Sequence, residues 1–367
     1  MSLAVPVRAN VLQALSKKVM CIQLILRSAS AAELALMPAL WELSHRENNQ
    51  NMKHIFSSVF VTLFSFVSIN ARVVEPDYTL LLYPQGQNID AGIVENGVAV
   101  TLGPSESNGW EGSLVNTKGR PEVYDHVADG ARMEIYVPKK CNGQMVVVCP
   151  GGAYWNVCAK HEGYTVAEWF LERNIATCVL IYRLPNHHNN VPLRDVQNAF
   201  RYCRYHAGEW GVKQIGVMGF SAGGHLAASA STLFVDEITR PDFSILVYPV
   251  ITFEEFVTHR GTRDNLLPEK QTSELVEYYS LENRVNGNTP AAFLVLSADD
   301  AAVPAENSIR YYRAMQKYGV PGELHILSAG GHGWGFPREG GSLSKGERED
   351  LYRTLSRWLE NRQAEIR

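Results

Sequence analysis

Alternating strand-like and helix-like segments constrain the fold of this chain more than any other feature. Continuous apolar runs, as in residues 145–149 and 243–248, are typical of strands buried on both faces. Amphipathic stretches lie between them; in residues 195–210 apolar side chains recur every three or four positions. From Arg132 onward this alternation predicts a mostly parallel, doubly wound α/β sheet with helices on both faces.

The other predicted elements continue this alternation. Further strands are expected at 175–182, 215–218, 292–296 and 323–327, and further helices at 162–173, 304–317 and 345–363. Residues 133–137 alternate in polarity as an edge strand does. Between residues 252 and 290 only short helical pieces follow, which predicts a small insertion in the main domain of residues 132–367.

Residues 52–71 have the pattern of a secretory signal peptide. Met52-Lys53-His54 is a short basic start, an apolar stretch follows, and Ala71 is a small residue at a plausible cleavage point. Residues 1–51 are then interpreted as a mis-called upstream extension, with translation beginning at Met52. A buried hydrophobic helix and an uncleaved anchor are the alternatives.

This interpretation predicts a secreted or periplasmic protein that begins near Arg72 and has no stable membrane association after cleavage. Residues 72–131, rich in Gly, Asn and Pro, are expected to form an irregular arm with short strands on the main domain. The formal charge of −4 over 367 residues gives no reason to expect nucleic acid as a partner. The five cysteines after residue 71 are too irregularly spaced for a disulfide framework, and no Cys/His cluster has the spacing of a zinc site, so no metal is expected. The serine chemistry considered below requires no organic cofactor either.

The segment Gly219-Phe220-Ser221-Ala222-Gly223 lies between a predicted strand and a stretch of small residues typical of a helix. A serine on such a strand-to-helix turn presents its hydroxyl above the sheet, as in the nucleophile elbow of serine hydrolases. A glycine-rich turn with a solvated serine is the alternative. Ser221 is therefore a candidate nucleophile.

Three further segments follow predicted strands, whose carboxyl ends share one edge of a parallel sheet. Residues 150–154 could direct the backbone N–H groups of Gly152 and Ala153, together with that of Ala222, towards an oxyanion. His332 lies in a glycine-rich loop after the last strand, and an imidazole can take and return a proton at neutral pH. A plain tight turn and an ordinary surface histidine are the alternatives.

A carboxylate that orients the imidazole is expected in the loop after residues 292–297. Asp299 and Asp300 both lie there, and the residue pattern leaves the choice open. Solvated loop carboxylates and a helix cap are the alternatives. Candidate substrate-binding side chains near these loops, each also compatible with ordinary packing, are Tyr154, Trp155, His187 and Trp334.

The order Ser, Asp, His resembles that of the α/β-hydrolase superfamily. From about Arg132 the chain is similar to bacterial carbohydrate esterases of the acetyl xylan or feruloyl esterase type. The motifs that carry this resemblance are Pro150-Gly151-Gly152-Ala153-Tyr154, Tyr182-Arg183-Leu184-Pro185, Pro192-Leu193-Arg194-Asp195-Val196-Gln197, Gly219-Phe220-Ser221-Ala222-Gly223-Gly224-His225-Leu226, Asp299-Asp300-Ala301-Ala302-Val303-Pro304 and Gly331-His332-Gly333.

The resemblance implies Asp300 as the acid, because the family's acid stands four residues before the proline that is Pro304 here. The family's oxyanion loop is often His-Gly-Gly-Gly; Pro150 and Ala153 differ from it, but Ala153 keeps its backbone N–H. We therefore expect a serine esterase acting on O-acetyl or feruloyl groups of plant polysaccharide such as xylan. A small-molecule carboxylesterase, an amidase such as a formamidase, a peptidase and a non-catalytic binding protein are the alternatives.

Overall fold

The computed structural model describes residues 74–82, 94–95, 98–99, 123–124, 127, 131–336 and 341–366. Residues 73–367 belong to one compact unit, and residues 1–72 form a second unit that lies outside the described residues. The upstream extension and the signal peptide fall in that second unit and stay predictions. Within the described ranges, no helix combines the length and the apolar character needed to cross a membrane.

Among the described residues, one eight-stranded sheet forms the centre of the fold. Its strands are β1 (Tyr78–Leu81), β4 (Arg132–Tyr136), β5 (Gln144–Cys149), β6 (Ala176–Ile181), β7 (Gln214–Phe220), β8 (Phe243–Val247), β9 (Ala291–Ser297) and β10 (Gly322–Leu327); β2 (Val94–Glu95) and β3 (Val98–Ala99) form a separate antiparallel pair. The sheet order is β1-β4-β6-β5-β7-β8-β9-β10. Strands β5 to β10 are parallel, and β4 runs against them.

The edge-strand prediction for residues 133–137 is wrong. Strand β1, contributed by the predicted irregular arm, pairs antiparallel with β4 and takes the edge position. Glu134 gave β4 its alternating pattern, but its side chain is buried and receives a 2.7 Å hydrogen bond from Arg132. A paired charge can lie inside a sheet, so polarity did not mark an exposed face here.

Helices cover both faces of the sheet. They are α1 (Thr165–Leu171, after a π-helical turn at Lys160–Tyr164), α2 (Val191–His206), α3 (Ser221–Thr232), α4 (Arg260–Leu266), α5 (Ser273–Tyr278), a 3₁₀ turn at Leu281–Asn283, α6 (Glu306–Lys317) and α7 (Lys345–Gln363). Along β5, Met145 and Val147 pack in a cluster with α2, α3 and α6, whereas Val146 and Val148 pack with α1 and α7. Alternate residues face opposite sides of a strand, so the predicted doubly wound sheet is confirmed.

A buried ion pair connects two of the motifs singled out in the sequence. Arg183, just after β6, and Asp195, in α2, lie 2.7 Å apart with almost no exposure. Asp195 also accepts a 2.8 Å bond from the backbone N–H of Arg183. The neighbouring Tyr182 donates from its hydroxyl to the carbonyl of Pro150 at 2.7 Å. These contacts fix the chain after β6 beside the loop after β5.

Candidate active site

Ser221 lies on a strained turn between β7 and α3. Its φ is +52°, in the left-handed region that non-glycine residues rarely adopt. Close backbone approach requires glycine on both sides: a Cβ at Gly219 would lie 2.0 Å from the Gly223 carbonyl oxygen, and one at Gly223 would lie 2.1 Å from that of Cys149. The turn therefore has the geometry of a nucleophile elbow.

Ser221, His332 and Asp300 form a continuous chain of hydrogen bonds. Ser221 Oγ lies 2.8 Å from His332 Nε2, and His332 Nδ1 lies 2.7 Å from Asp300 Oδ2. The other Asp300 oxygen accepts from the backbone N–H groups of Ala302 and Val303 at 3.0 and 2.8 Å. A carboxylate at Nδ1 places the ring proton there, so Nε2 can accept the serine proton.

Asp299 contacts the backbone of the glycine-rich loop that contains His332, residues 330–336, instead of the imidazole. This segment is called the histidine loop below. Its carboxylate accepts from the backbone N–H of Gly331 at 2.8 Å and from that of Gly330 at 3.3 Å. The structure thus brings Asp300, and not Asp299, to the histidine.

The loop after β5, residues 150–154, presents backbone N–H groups beside the serine and is called the oxyanion loop below. Gly152 and Ala153 have φ values of +130° and +56°. Among the described residues, neither N–H donates to a protein acceptor. The N–H of Ala222 belongs to the first turn of α3, where helix amides have no intrahelical acceptor. These three groups are available for an oxyanion, whereas the N–H of Gly151 is bound to Glu162.

The predicted substrate-binding residues have different surroundings. Tyr154 is buried, with its hydroxyl 3.1 Å from His225 Nδ1, and Trp334 is buried and donates from Nε1 to Ser297 Oγ at 3.1 Å. The polar atoms of both side chains have protein partners, which supports a packing role for them, and their contact with a substrate stays a prediction.

Trp155 and His187 remain candidates for substrate contact. Trp155 is 52% exposed and directly follows the oxyanion loop. His187 is half-buried, and its Nδ1 lies 2.9 Å from the carbonyl oxygen of Leu267 in the insertion. The insertion also contacts the oxyanion loop, because Asn265 donates to the carbonyl of Ala153 at 2.9 Å.

Two residues absent from the sequence-based predictions complete the surroundings of the site. Glu162 accepts from the N–H of Gly151 at 2.6 Å and from the Tyr248 hydroxyl at 2.7 Å. The Tyr248 ring packs against His332, with ring centroids 4.9 Å apart. A single glutamate in a predicted helix and a tyrosine at the end of an apolar run carry no local signal of such contacts.

The described ranges contain no group of three or more His, Cys, Asp or Glu side chains arranged to hold a metal ion. The five cysteines within them are free thiols, three of them buried.

The catalytic-site region of the chain is similar to known proteins. Residues 133–315 match the BD-FAE family. An acetylxylan esterase of Xylanibacter ruminicola is 38% identical over 237 residues, which cover 63% of this chain and 48% of that protein. Endo-1,4-beta-xylanase B of Butyrivibrio fibrisolvens is 35% identical over 206 residues, covering 51% of this chain and 32% of that protein.

A solved structure shows the same fold along most of the chain. The acetyl ester-xyloside bifunctional hydrolase of Caldicellulosiruptor lactoaceticus matches with a TM-score of 0.62 and 29% identity, covering 79% of this chain and 98% of that one. The chain spans about half or less of the length of the two curated relatives it matches. The chain has the α/β-hydrolase fold, and its residues 133–315 match the BD-FAE family.

Proposed function

We propose that this protein is a serine esterase that hydrolyses carboxylic esters through an acyl-enzyme. The observation that carries the proposal is the hydrogen-bonded chain from Ser221 through His332 to Asp300 beside three available backbone N–H groups. The similarity to an acetylxylan esterase supports it.

The geometry suits each proton transfer of such a reaction. Ser221 Oγ attacks the ester carbonyl carbon while its proton passes to His332 Nε2. The N–H groups of Gly152, Ala153 and Ala222 stabilise the oxyanion. The C–O bond then breaks, and the leaving alcohol takes the proton from Nε2. Water attacks the acyl carbon in the same way, and the acid leaves as Ser221 regains its proton.

The proposed substrate is an O-acetyl or feruloyl ester on xylan-type polysaccharide. The acetylxylan esterase, the endoxylanase and the acetyl ester-xyloside hydrolase among its relatives support this class of substrate. Measuring acid release from acetylated xylan, feruloylated arabinoxylan and short acyl esters tests it. Release from the short esters alone would contradict a polysaccharide substrate.

We further propose a location outside the cytoplasm, based on the pattern of residues 52–71. The N-terminal sequence of the exported protein tests this proposal. A start near Arg72 is expected, and a start at Met1 would contradict both the signal peptide and the assignment of Met52 as the first residue.

The nucleophile is tested by replacing Ser221 with alanine. Ser221→Ala should lower kcat on p-nitrophenyl acetate by at least about a thousandfold and abolish labelling by a fluorophosphonate. Ser229→Ala, which alters another buried serine of α3, is the matched control. It should retain the wild-type kcat and the labelling by a fluorophosphonate. Wild-type turnover in Ser221→Ala would place the nucleophile elsewhere.

A further inference from the structure

Glu162 is a buried carboxylate that the proposed reaction does not use. It lies in the π-helical turn Lys160–Tyr164, between the oxyanion loop and α1, and is 6% exposed. π-Helical turns are rare and often occur at functional sites. A buried carboxylate is costly unless its oxygens are hydrogen-bonded, so the partners of Glu162 explain why it is tolerated.

One carboxylate oxygen fixes the oxyanion loop. Glu162 Oε2 accepts from the N–H of Gly151 at 2.6 Å. Gly151 immediately precedes Gly152 and Ala153, whose backbone N–H groups are assigned to the oxyanion. Gly151 also lies against the nucleophile, because a Cβ placed on it would be 3.0 Å from Ser221 Cβ and 2.8 Å from Glu162 Oε2. A change at Glu162 would therefore alter the orientation of the peptide planes that follow Gly151.

The other carboxylate oxygen is connected to the histidine loop. Glu162 Oε1 accepts from the hydroxyl of Tyr248, which in turn accepts from the N–H of Gly335 at 2.8 Å. The same π-helical turn makes a second bond to this loop, from the N–H of Phe336 to the carbonyl of His161 at 2.9 Å. The edge-to-face contact of Tyr248 with His332 completes the connection.

The carboxylate also contributes charge near the imidazole. Burial raises the pKa of Glu162, whereas the hydrogen bonds from Tyr248 and Gly151 and the positive charge of protonated His332 oppose that rise. Both Glu162 oxygens accept hydrogen bonds, which is the pattern of an ionised carboxylate.

Among the described residues, Asp300 and Tyr248 contact His332, and His259 interacts with it electrostatically. Burial and the charge of His332 lower the pKa of His259, and Asp300 opposes them. Asp299 reaches the same loop through the backbone of Gly331.

We propose that Glu162 is a positioning residue that holds the oxyanion loop and the histidine loop at a fixed separation and places a second negative charge near His332. The proposal rests on the proposed esterase function for its kinetic consequences. Its effect on the titration of His332 does not depend on turnover.

The first test replaces Glu162 by glutamine, which keeps the shape and removes the charge. Without that charge protonated His332 is less stable, so the midpoint of its titration, followed by NMR of the imidazole, should move to lower pH. The acid limb of the pH dependence of kcat/KM should move in the same direction. Glu168→Gln, at another buried glutamate of the same helical segment, is the matched control and should leave both midpoints in place.

The second test removes only the connecting hydroxyl. Tyr248→Phe keeps the ring beside His332 but breaks the bonds to Glu162 and Gly335, and should lower kcat about tenfold or more with little change in KM. Tyr311→Phe is the matched control, because it removes a buried hydroxyl that has no hydrogen-bond partner in the described residues. It should leave kcat unchanged.

The outcomes separate this inference from the proposed function. An inactive wild-type protein that resists fluorophosphonate would contradict the esterase, while the NMR titration would still test the role of Glu162. A His332 midpoint equal in wild type and Glu162→Gln would overturn the charge contribution. A Tyr248→Phe variant with wild-type kcat would overturn the positioning role.

Discussion

Asp299 and Asp300 are adjacent in sequence but have different partners. Asp300 accepts from His332 and from two backbone N–H groups, and its side chain has no exposure. Asp299 accepts only from the histidine loop backbone among the described residues. The Asp300 carboxylate therefore faces the imidazole of His332, and the Asp299 carboxylate holds the backbone of the loop that contains His332.

This difference predicts unequal effects of asparagine at the two positions. Asp300→Asn presents an amide that favours the wrong imidazole tautomer, so kcat should fall by about 10⁴-fold. Asp299→Asn keeps an oxygen that can accept from Gly331 and should cost about tenfold or less. Steady-state kinetics on p-nitrophenyl acetate compares them. A larger loss in Asp299→Asn would reverse the assignment of the acid.

The packing of α3 against β7 and the chain after β5 depends on the absence of side chains at the turn. Gly223 lies where a Cβ would approach the carbonyl oxygens of Cys149 and Pro150 to 2.1 and 2.3 Å. Because both atoms are backbone, the neighbouring strand and loop would have to move. The position of the serine thus depends on a contact between elements as well as on its own dihedral angles.

We accordingly expect Gly223→Ala to be damaging in two ways. It should lower the free energy of unfolding by about 1–3 kcal/mol, as overpacking does, and should reduce kcat because the helix moves away from the oxyanion loop. Urea denaturation and kinetics measure the two effects. Gly208→Ala is the control, since nothing lies within 4 Å of its Cβ position. Unchanged stability in Gly223→Ala would contradict the close approach.

His225 connects three parts of the whole molecule. Its Nε2 donates to the carbonyl of Tyr279 in the insertion at 2.9 Å, so Nδ1 is left to accept from the Tyr154 hydroxyl in the oxyanion loop. The ring stacks on Phe253 with centroids 4.5 Å apart. Both nitrogens are used by the neutral ring, and burial lowers the pKa of His225 to about 4.

This burial predicts a loss of stability in acid. The unfolded chain takes up a proton at His225 below about pH 6.5, whereas the folded chain does so only near pH 4, so unfolding becomes easier through that interval. The contribution should reach roughly 2–3 kcal/mol at pH 4.5. The free energies of unfolding of the wild type and His225→Gln should therefore converge, or cross, as the pH falls from 7 to 4.5. A constant difference would show that His225 does not titrate in this way.

The fold and the segments that carry Ser221, Asp300 and His332 were predictable because their signals are local in the sequence. Helix α7 begins and ends where the sequence predicted, Lys345–Gln363, and its start is fixed by a capping box between Ser344 and Glu347. Helix α2 begins at Val191, four residues before the predicted start, because Pro192 is compatible with a first helical turn.

The rest depends on contacts between distant parts of the sequence. The hydrogen bond between Glu162 and Tyr248 joins residues 86 positions apart, so no spacing rule indicates it. The burial of Tyr154 and Trp334 depends on partners supplied by α3 and β9. The position of β1 depends on a pairing between residues that are more than 50 positions apart.

The pairing of β1 with β4 bears on where the chain can be shortened. A chain trimmed to the family match would start at Met133 and lose Tyr78–Leu81, together with the bond from Val137 N–H to the Asp77 carboxylate at 2.7 Å. Strand β4 would then expose unpaired backbone groups along a buried, largely apolar strand, and such edges recruit strands from other copies. We therefore expect the four-residue strand β1 to protect the sheet against self-association, so that a shortened chain which retains β1 should stay monomeric where one that starts at Met133 does not.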